Sequence, residues 1–362
     1  MGRLRLFEGY MKALAAAVLS LMAVSVMAQA PIPTGDPAVV PGAKAPALKV
    51  HAWLKGTPVK EFKKGEIHVI EFWATWCGPC ITSIPHVTEL AKKYQGKIKV
   101  TGVSVWERPW DQAKAQKFVD DMGAKMDYNV AIDTQEGVMA DTWMQAAEQN
   151  GIPAAFIVKD GIVQWVGHPM SMDEPLKQVV EGKFNLAESK KAFMAEIEQG
   201  RASARVQKEL AELKAVYAKD KAKALKRLDE IAAMPGFATD ALTTKLMLLS
   251  TDDLPGAKAE INKLIAKGED GQLAVAMFAI QSIRTPAVKA TALEAAAALV
   301  SNGTTWMPAY YAGAVYSQAS MKPEAKAAYE KALSIAEKMP EGAEKADIVK
   351  FLKEQIAANS AG

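Results

Sequence analysis

Two rhythms of hydrophobic and polar positions divide this chain. Up to about Gly182, short apolar runs alternate with amphipathic ones. Residues 67–73 form an almost continuous apolar and β-branched run, the pattern of a strand buried on both faces, and residues 98–106 repeat it. Shorter strand signals lie at 48–53 and 59–62, joined across Gly56-Thr57-Pro58, and at 128–132. Residues 154–158 and 162–166, separated by Lys159-Asp160-Gly161, predict a hairpin. Between these runs, helical spacing predicts helices from Cys77 to about 94–96, over 111–122, over 136–149 and over 173–180. Strands alternating with helices and closing in a hairpin predict an α/β fold, a central mixed sheet flanked by helices.

After Gly182 the texture changes. From Ala187 onward no strand signal occurs, only Ala, Lys, Glu and Leu at helical spacing. Val206, Leu210, Leu213 and Tyr217 mark one apolar stripe, and Leu225, Leu228 and Ile231 another. Breakers at Pro235-Gly236, Pro255-Gly256, Gly268, Pro286, Asn302-Gly303, Pro323 and Pro340 predict helices of roughly 12–20 residues. Gly313, Tyr316, Ala325, Tyr329 and Ala332 fall at tetratricopeptide-like spacing, whereas Ala309, Ala312 and Glu337 depart from it. The expected organisation is therefore a leader at 1–28, an irregular Pro/Gly/Ala-rich lead-in at 29–46, an α/β domain at 47–184 and an all-helical domain at 185–362. The helical domain is expected to act either as a structural cap or as a scaffold for a protein partner.

The leader reading rests on basic residues that end at Lys12, an apolar run over 13–27, and small residues at Ala28 and Ala30. Cleavage is expected after Ala28, giving an exported, periplasmic protein; an uncleaved membrane anchor is the alternative. No cysteine stands near the cleavage region, so lipid attachment there is not expected, and no twin arginine calls for export in the folded state. The chain carries a formal net charge of +3, and the leader holds Arg3, Arg5 and Lys12 against Glu8. The remainder is close to neutral, which argues against nucleic-acid binding.

The chemistry concentrates in one place. Both cysteines of the chain lie in Trp76-Cys77-Gly78-Pro79-Cys80, at a predicted strand-to-helix junction. A structural disulfide framework would spread its cysteines among loops, and a zinc site would need about four ligands, usually two such pairs. Two residues between the thiols at a helix start is the placement of a redox pair. At the helix N-terminus, free N–H groups and the helix dipole favour a thiolate, which makes Cys77 the exposed attacking thiol. Cys80, one turn in, becomes the buried resolving thiol. The segment His168-Pro169-Met170-Ser171-Met172 could suggest copper, but methionine is abundant in this chain, with 17 residues, and packs cores. No metal and no cofactor are expected beyond the redox disulfide.

Residues from about Gly42 to Gly182 resemble the thioredoxin superfamily, specifically its exported TlpA/ResA-like branch. The stretch Phe72-Trp73-Ala74-Thr75-Trp76-Cys77-Gly78-Pro79-Cys80 matches that family's active-site strand and turn, and Pro85 its helix proline. Gly151-Ile152-Pro153 matches the segment carrying a cis-proline that faces the dithiol, and Gly161 and Gly167 the later glycines. Residues 106–144 correspond to the branch's strand-helix insertion. The resemblance implies that Glu71 accepts the proton of Cys80. It also implies a substrate surface made of Trp76, Gly78, Pro79, Ile152, Pro153 and Gly167, with His168 at its edge. Members of this branch often carry a glutamate three residues after the second cysteine; here that residue is Ser83, which leaves acid-base work to Glu71 or to water.

The expected activity is thiol-disulfide oxidoreduction, in the reducing direction because Gly-Pro separates the cysteines as in reducing thioredoxins. The expected partners are cysteine-containing exported clients and a membrane electron donor that restores the dithiol. Two alternatives stay open: oxidising or isomerising exchange, and a helical-repeat scaffold whose thioredoxin-like domain only senses redox state.

Overall fold

The computed structural model describes residues 32–303 and 305–360. The leader at 1–28 and the first residues of the lead-in lie outside them. The described chain separates into two compact units, Ile32–Ala202 and the part from Ser203 onward.

The first unit is built on a six-stranded mixed sheet. Its strands are β1 (Ala52–Lys55), β2 (Ile67–Trp73), β3 (Ile98–Ser104), β4 (Asn129–Ile132), β5 (Ala154–Lys159) and β6 (Ile162–Gly167), in the order β1-β4-β3-β2-β5-β6. β2 pairs in parallel with β3 and antiparallel with β5, and β3 runs parallel to β4. Every residue of β2 is buried, as a strand central to the sheet and covered on both faces requires. Its alternate residues enter two cores. Val69 and Trp73 face α1 (Gly78–Lys93) in a cluster that contains Cys77, Cys80, Ile84 and Val87. Ile70 and Phe72 face the other side, against Trp143, Phe156 and Val163.

Of the two short strands expected at 48–53 and 59–62, the first appears shifted and the second does not form. Residues 52–55 pair instead with β4, at the opposite edge of the sheet. The β6 edge is taken by the lead-in: Gly42 donates its N–H to Val163 O (2.8 Å), and Ala45 to Gly161 O (2.9 Å). Phe62 packs edge-on to His68 and Trp143. Gly56, in the left-handed region at φ 81°, lets the chain pass beside Asn129, where a Cβ would fall 2.1 Å from Oδ1.

α2 (Gln112–Met122) starts where Asp111 caps it, accepting from the Lys114 N–H, and α3 (Asp173–Glu181) follows β6. The helix expected over 136–149 appears as a π-helical turn, Ala140–Met144, and a 3-10 turn, Gln145–Ala147. Buried Asp133 organises its start by accepting from the N–H groups of Thr134, Met139 and Ala140.

α4 (Leu186–Tyr217) is 32 residues long, well beyond the expected helix length, because only Gly200 interrupts an otherwise helix-favouring run. Its first half belongs to the α/β unit. Phe193 and Ile197 pack with Val39, Val163 and Val166. Arg201 pairs with Glu148, its Nε 3.0 Å from Oε2, and donates to the Gly35 carbonyl. Burying two such apolar side chains contributes roughly 3–6 kcal/mol. A chain ending at Gly182 should therefore melt at least about 6 °C below one ending at Ala202. Equal melting temperatures by circular dichroism would show that the first half of α4 adds nothing to the domain.

The second unit is helical throughout its described residues. It contains the end of α4, α5 (Lys221–Ala232), α6 (Ala238–Asp252), α7 (Leu254–Ala266), α8 (Glu269–Ser282), α9 (Lys289–Asn302), α10 (Trp306–Gln318), α11 (Lys322–Ala336) and α12 (Ala343–Ala358). Pro255 and Pro323 sit in first helical turns, where a missing N–H costs nothing. Val206, Leu210, Leu213 and Tyr217 pack with Leu228 and Ile231, which joins the two stripes seen in the sequence. α10 and α11 meet closely at Gly313, where a Cβ would lie 2.6 Å from the Tyr329 ring. Buried Lys245 is neutralised by Asp229 (2.7 Å) and Glu260 (3.1 Å). Among the described residues, no helix is long and apolar enough to cross a membrane.

Candidate functional site

The site forms where β2 ends and α1 begins. Cys77 is the N-cap of α1, and its backbone leaves the helical conformation there (φ −85°, ψ 96°). Pro79 occupies the first turn, pre-set for a helix start. Cys77 and Cys80 form a disulfide with Cα atoms 5.2 Å apart. Cys77 Sγ accepts the N–H of Cys80 at 3.2 Å, so one of the free donors of the helix end points at this sulfur. Cys77 is 3% exposed and Cys80 is fully buried. The first sulfur is thus the more accessible one, but in the disulfide state it is far less open than expected. The exposure lies in its neighbours Trp76, Gly78 and Pro79.

The loop before β5 faces the sulfurs. The Ile152–Pro153 bond is cis, and the Ile152 carbonyl oxygen lies 3.7 Å from Cys77 Sγ. Trp76, 51% exposed, stands at the rim with its indole Nε1 donating to Trp106 O at 3.0 Å. His168 is exposed and caps the turn Pro169–Ser171, its Nδ1 accepting from the Met170 N–H at 3.2 Å. His86 Nε2 and Asp173 Oδ2, 2.8 Å apart, tie α1 to the start of α3. Gly167's bare Cα makes room for the Trp165 ring, which a Cβ would meet at 2.5 Å.

Glu71 is fully buried on the α1 side of β2, between Val69 and Trp73, opposite Ala155 of β5 and Gly102 of β3. Neither carboxyl oxygen has a hydrogen-bond partner among the described residues. Burial alone pushes its pKa up to about 8. Gly102 leaves it space, since a Cβ there would come within 3.2 Å of Oε2 and of Trp73 Nε1. Ser83, also buried, donates its hydroxyl to Cys80 O at 3.0 Å and so serves the helix backbone.

One residue at the site was not expected. Glu107, 8% exposed, accepts from the Thr75 N–H, the Thr75 hydroxyl and the Ser104 hydroxyl, each at 2.7 Å. Ser104 ends β3, and the chain then turns through Trp106 in a left-handed conformation (φ 55°). Polar residues ending a strand read as an ordinary loop in the sequence, so no local pattern marks this glutamate.

A mixed sheet of this order, with a cysteine pair at the start of the helix after its central strand, is a thioredoxin-like fold. Residues 41–166 match the AhpC/TSA family. The chain is 28% identical over 153 residues to Protein FixW of Rhizobium leguminosarum, covering 40% of this chain and 67% of that protein. It is 51% identical over 41 residues to Thioredoxin 1 of Nostoc, covering 11% of this chain and 38% of that protein. Among solved structures, a thiol-disulfide isomerase from Corynebacterium glutamicum is 19% identical, with a TM-score of 0.34 over 39% of this chain and 97% of that one. StoA from Bacillus subtilis is 18% identical, with a TM-score of 0.30 over 36% and 97%. The α/β unit has a thioredoxin-like fold whose residues 41–166 match the redoxin-type family above, and a long all-helical region follows it.

Proposed function

We propose that this chain is an exported protein-disulfide reductase working through Cys77 and Cys80. The observation that carries the reading is the setting of Cys77: its sulfur caps a helix N-terminus and faces the Ile152 carbonyl of a cis-proline loop. In the reduced protein the same N–H that points at this sulfur would stabilise a thiolate. The Cys77 thiolate attacks one sulfur of a client disulfide, the S–S bond breaks, and the other client sulfur leaves as a thiolate. The Cys80 thiol then loses its proton and attacks Cys77 Sγ. That step forms the Cys77–Cys80 disulfide and releases the second client thiolate, so two electrons pass to the client.

Glu71 suits the role of proton acceptor for Cys80. A carboxyl with a pKa near 8 exchanges a proton with a thiol at little cost in either direction. The Ile152 backbone offers an extended client segment strand-like pairing, and exposed Trp76 offers apolar surface. The Gly-Pro pair between the cysteines supports the reducing direction, and the leader-like residues 1–28 support export. Clients are then exported proteins with cysteine pairs, and a membrane electron donor restores the dithiol. No residue of the helical unit enters this scheme.

Two measurements test it. Insulin disulfides should be reduced catalytically with dithiothreitol as the donor. Equilibration with a redox buffer should place the pair near the reducing thioredoxin value of about −270 mV. A potential near the about −120 mV of a strong oxidant would assign the opposite direction, and inertness towards insulin would favour a redox-sensing scaffold.

A further inference from the structure

A buried acidic side chain is bound to the backbone that carries the nucleophile, and the scheme above gives it no work. Thr75 and Trp76 are the two residues ahead of Cys77. Both are held from one loop, that after β3. Glu107 takes the backbone N–H and the hydroxyl of Thr75, and the adjacent Trp106 carbonyl takes the Trp76 indole N–H. The Ser104 hydroxyl donates to the same carboxyl group, so its orientation is fixed from the sheet side as well. Val105, through its N–H to Trp73 O at 2.8 Å, pins this loop to the end of β2. The turn that presents Cys77 is thereby clamped over its first two residues by a group about 30 positions further along the chain.

We infer that Glu107 is a positioning residue for the dithiol, which fixes the Thr75–Trp76 turn and sets a negative charge beside the end of α1 that makes the pair more reducing. The inference deepens the reductase reading and rests on it. Helix N-terminal N–H groups stabilise the Cys77 thiolate, whereas a fixed negative charge nearby opposes it. A less stabilised thiolate makes the reduced form the better electron donor. Glu71 on the sheet face, the His86–Asp173 pair, His168 and exposed Arg108 are further titratable groups of this unit. All are retained in the variants below.

Glu107→Gln keeps the shape and one acceptor oxygen but removes the charge. In the full chain, the pH midpoint of Cys77 alkylation should fall, with about three- to tenfold more thiolate on the acid side of that midpoint. The potential at pH 8 should rise by about 15–30 mV, which is that same factor in the equilibrium constant. Thr75→Val, which drops the hydroxyl bond and keeps the charge, should leave the alkylation midpoint in place. It should cut kcat for insulin reduction at least twofold, and Thr75→Ser should restore it. An unshifted midpoint and potential in a folded Glu107→Gln protein overturn the proposal. Should that variant not fold, equal kcat values for Thr75→Val and Thr75→Ser overturn it instead. Both titrations follow the dithiol itself, so a wild type that titrates normally yet leaves insulin untouched defeats the reductase reading alone.

Discussion

Cys80→Ser should accumulate covalent complexes with clients, and Cys77→Ala should form none and lose all turnover. The asymmetry follows from the two sulfurs' surroundings. Cys77 Sγ receives the Cys80 N–H at the helix start and lies under the exposed residues Trp76, Gly78 and Pro79, whereas Cys80 is sealed inside the core with Ile84 and Val87. In the reduced protein the helix end should favour the Cys77 thiolate. With serine at position 80 the mixed disulfide still forms, but no second thiolate stands next to it to break it. Non-reducing electrophoresis of the tagged, full-length variants reads the result directly. Complexes that require Cys77, rather than Cys80, to be the replaced residue would reverse the assignment.

Much of this arrangement was legible in the sequence, for a physical reason. β2 and β3 are runs of apolar residues that only a doubly covered strand accommodates, and two cysteines at a strand-to-helix junction admit few chemistries. The cis bond at Pro153 followed from the resemblance carried by Gly151-Ile152-Pro153 and is present. What stayed hidden depends on long-range choices between competing partners. Residues 59–62 have strand-like composition, yet they form no strand, and the lead-in pairs along the β6 edge instead. Helical texture does set in just after Gly182, but the first half of α4 still belongs to the α/β unit, on which Phe193, Ile197 and Arg201 dock. Such docking depends on which surfaces the fold leaves uncovered, and no local pattern encodes that. The packing of Trp165 against Gly167, two residues away on the same strand, likewise depends on the fold and not on local pattern. Glu107 acts on residues some 30 positions upstream, so neither periodicity nor motif spacing marks it.

Glu71→Gln should make the oxidised protein more stable at pH 8 while leaving it nearly unchanged near pH 4.5. In the folded chain the carboxyl's pKa is pushed up to about 8 by burial, against an ordinary value of 4.5. Between those two values the native state holds a proton that the unfolded chain has released, so stability falls as pH rises through this window. The slope from this one group is about 1.4 kcal/mol per pH unit, which amounts to roughly 3–5 kcal/mol by pH 8, above which the loss levels off. Asp133, raised by burial too, slopes the same way, and Glu66, lowered to about 2 mainly by Lys99, acts below the window. Both are common to wild type and variant, so the difference between the two curves isolates Glu71. A buried glutamine resembles the protonated acid in size and polarity, which is why the curves should converge at the acid end. Urea unfolding from pH 4.5 to 8, with the disulfide intact, measures the difference, and parallel curves would remove the claim that this carboxyl is neutral in the folded protein. The same substitution should slow release of the mixed disulfide, because an amide accepts no proton from Cys80. A variant that is both more stable and slower identifies the buried carboxyl as a group whose folding cost is tied to proton transfer.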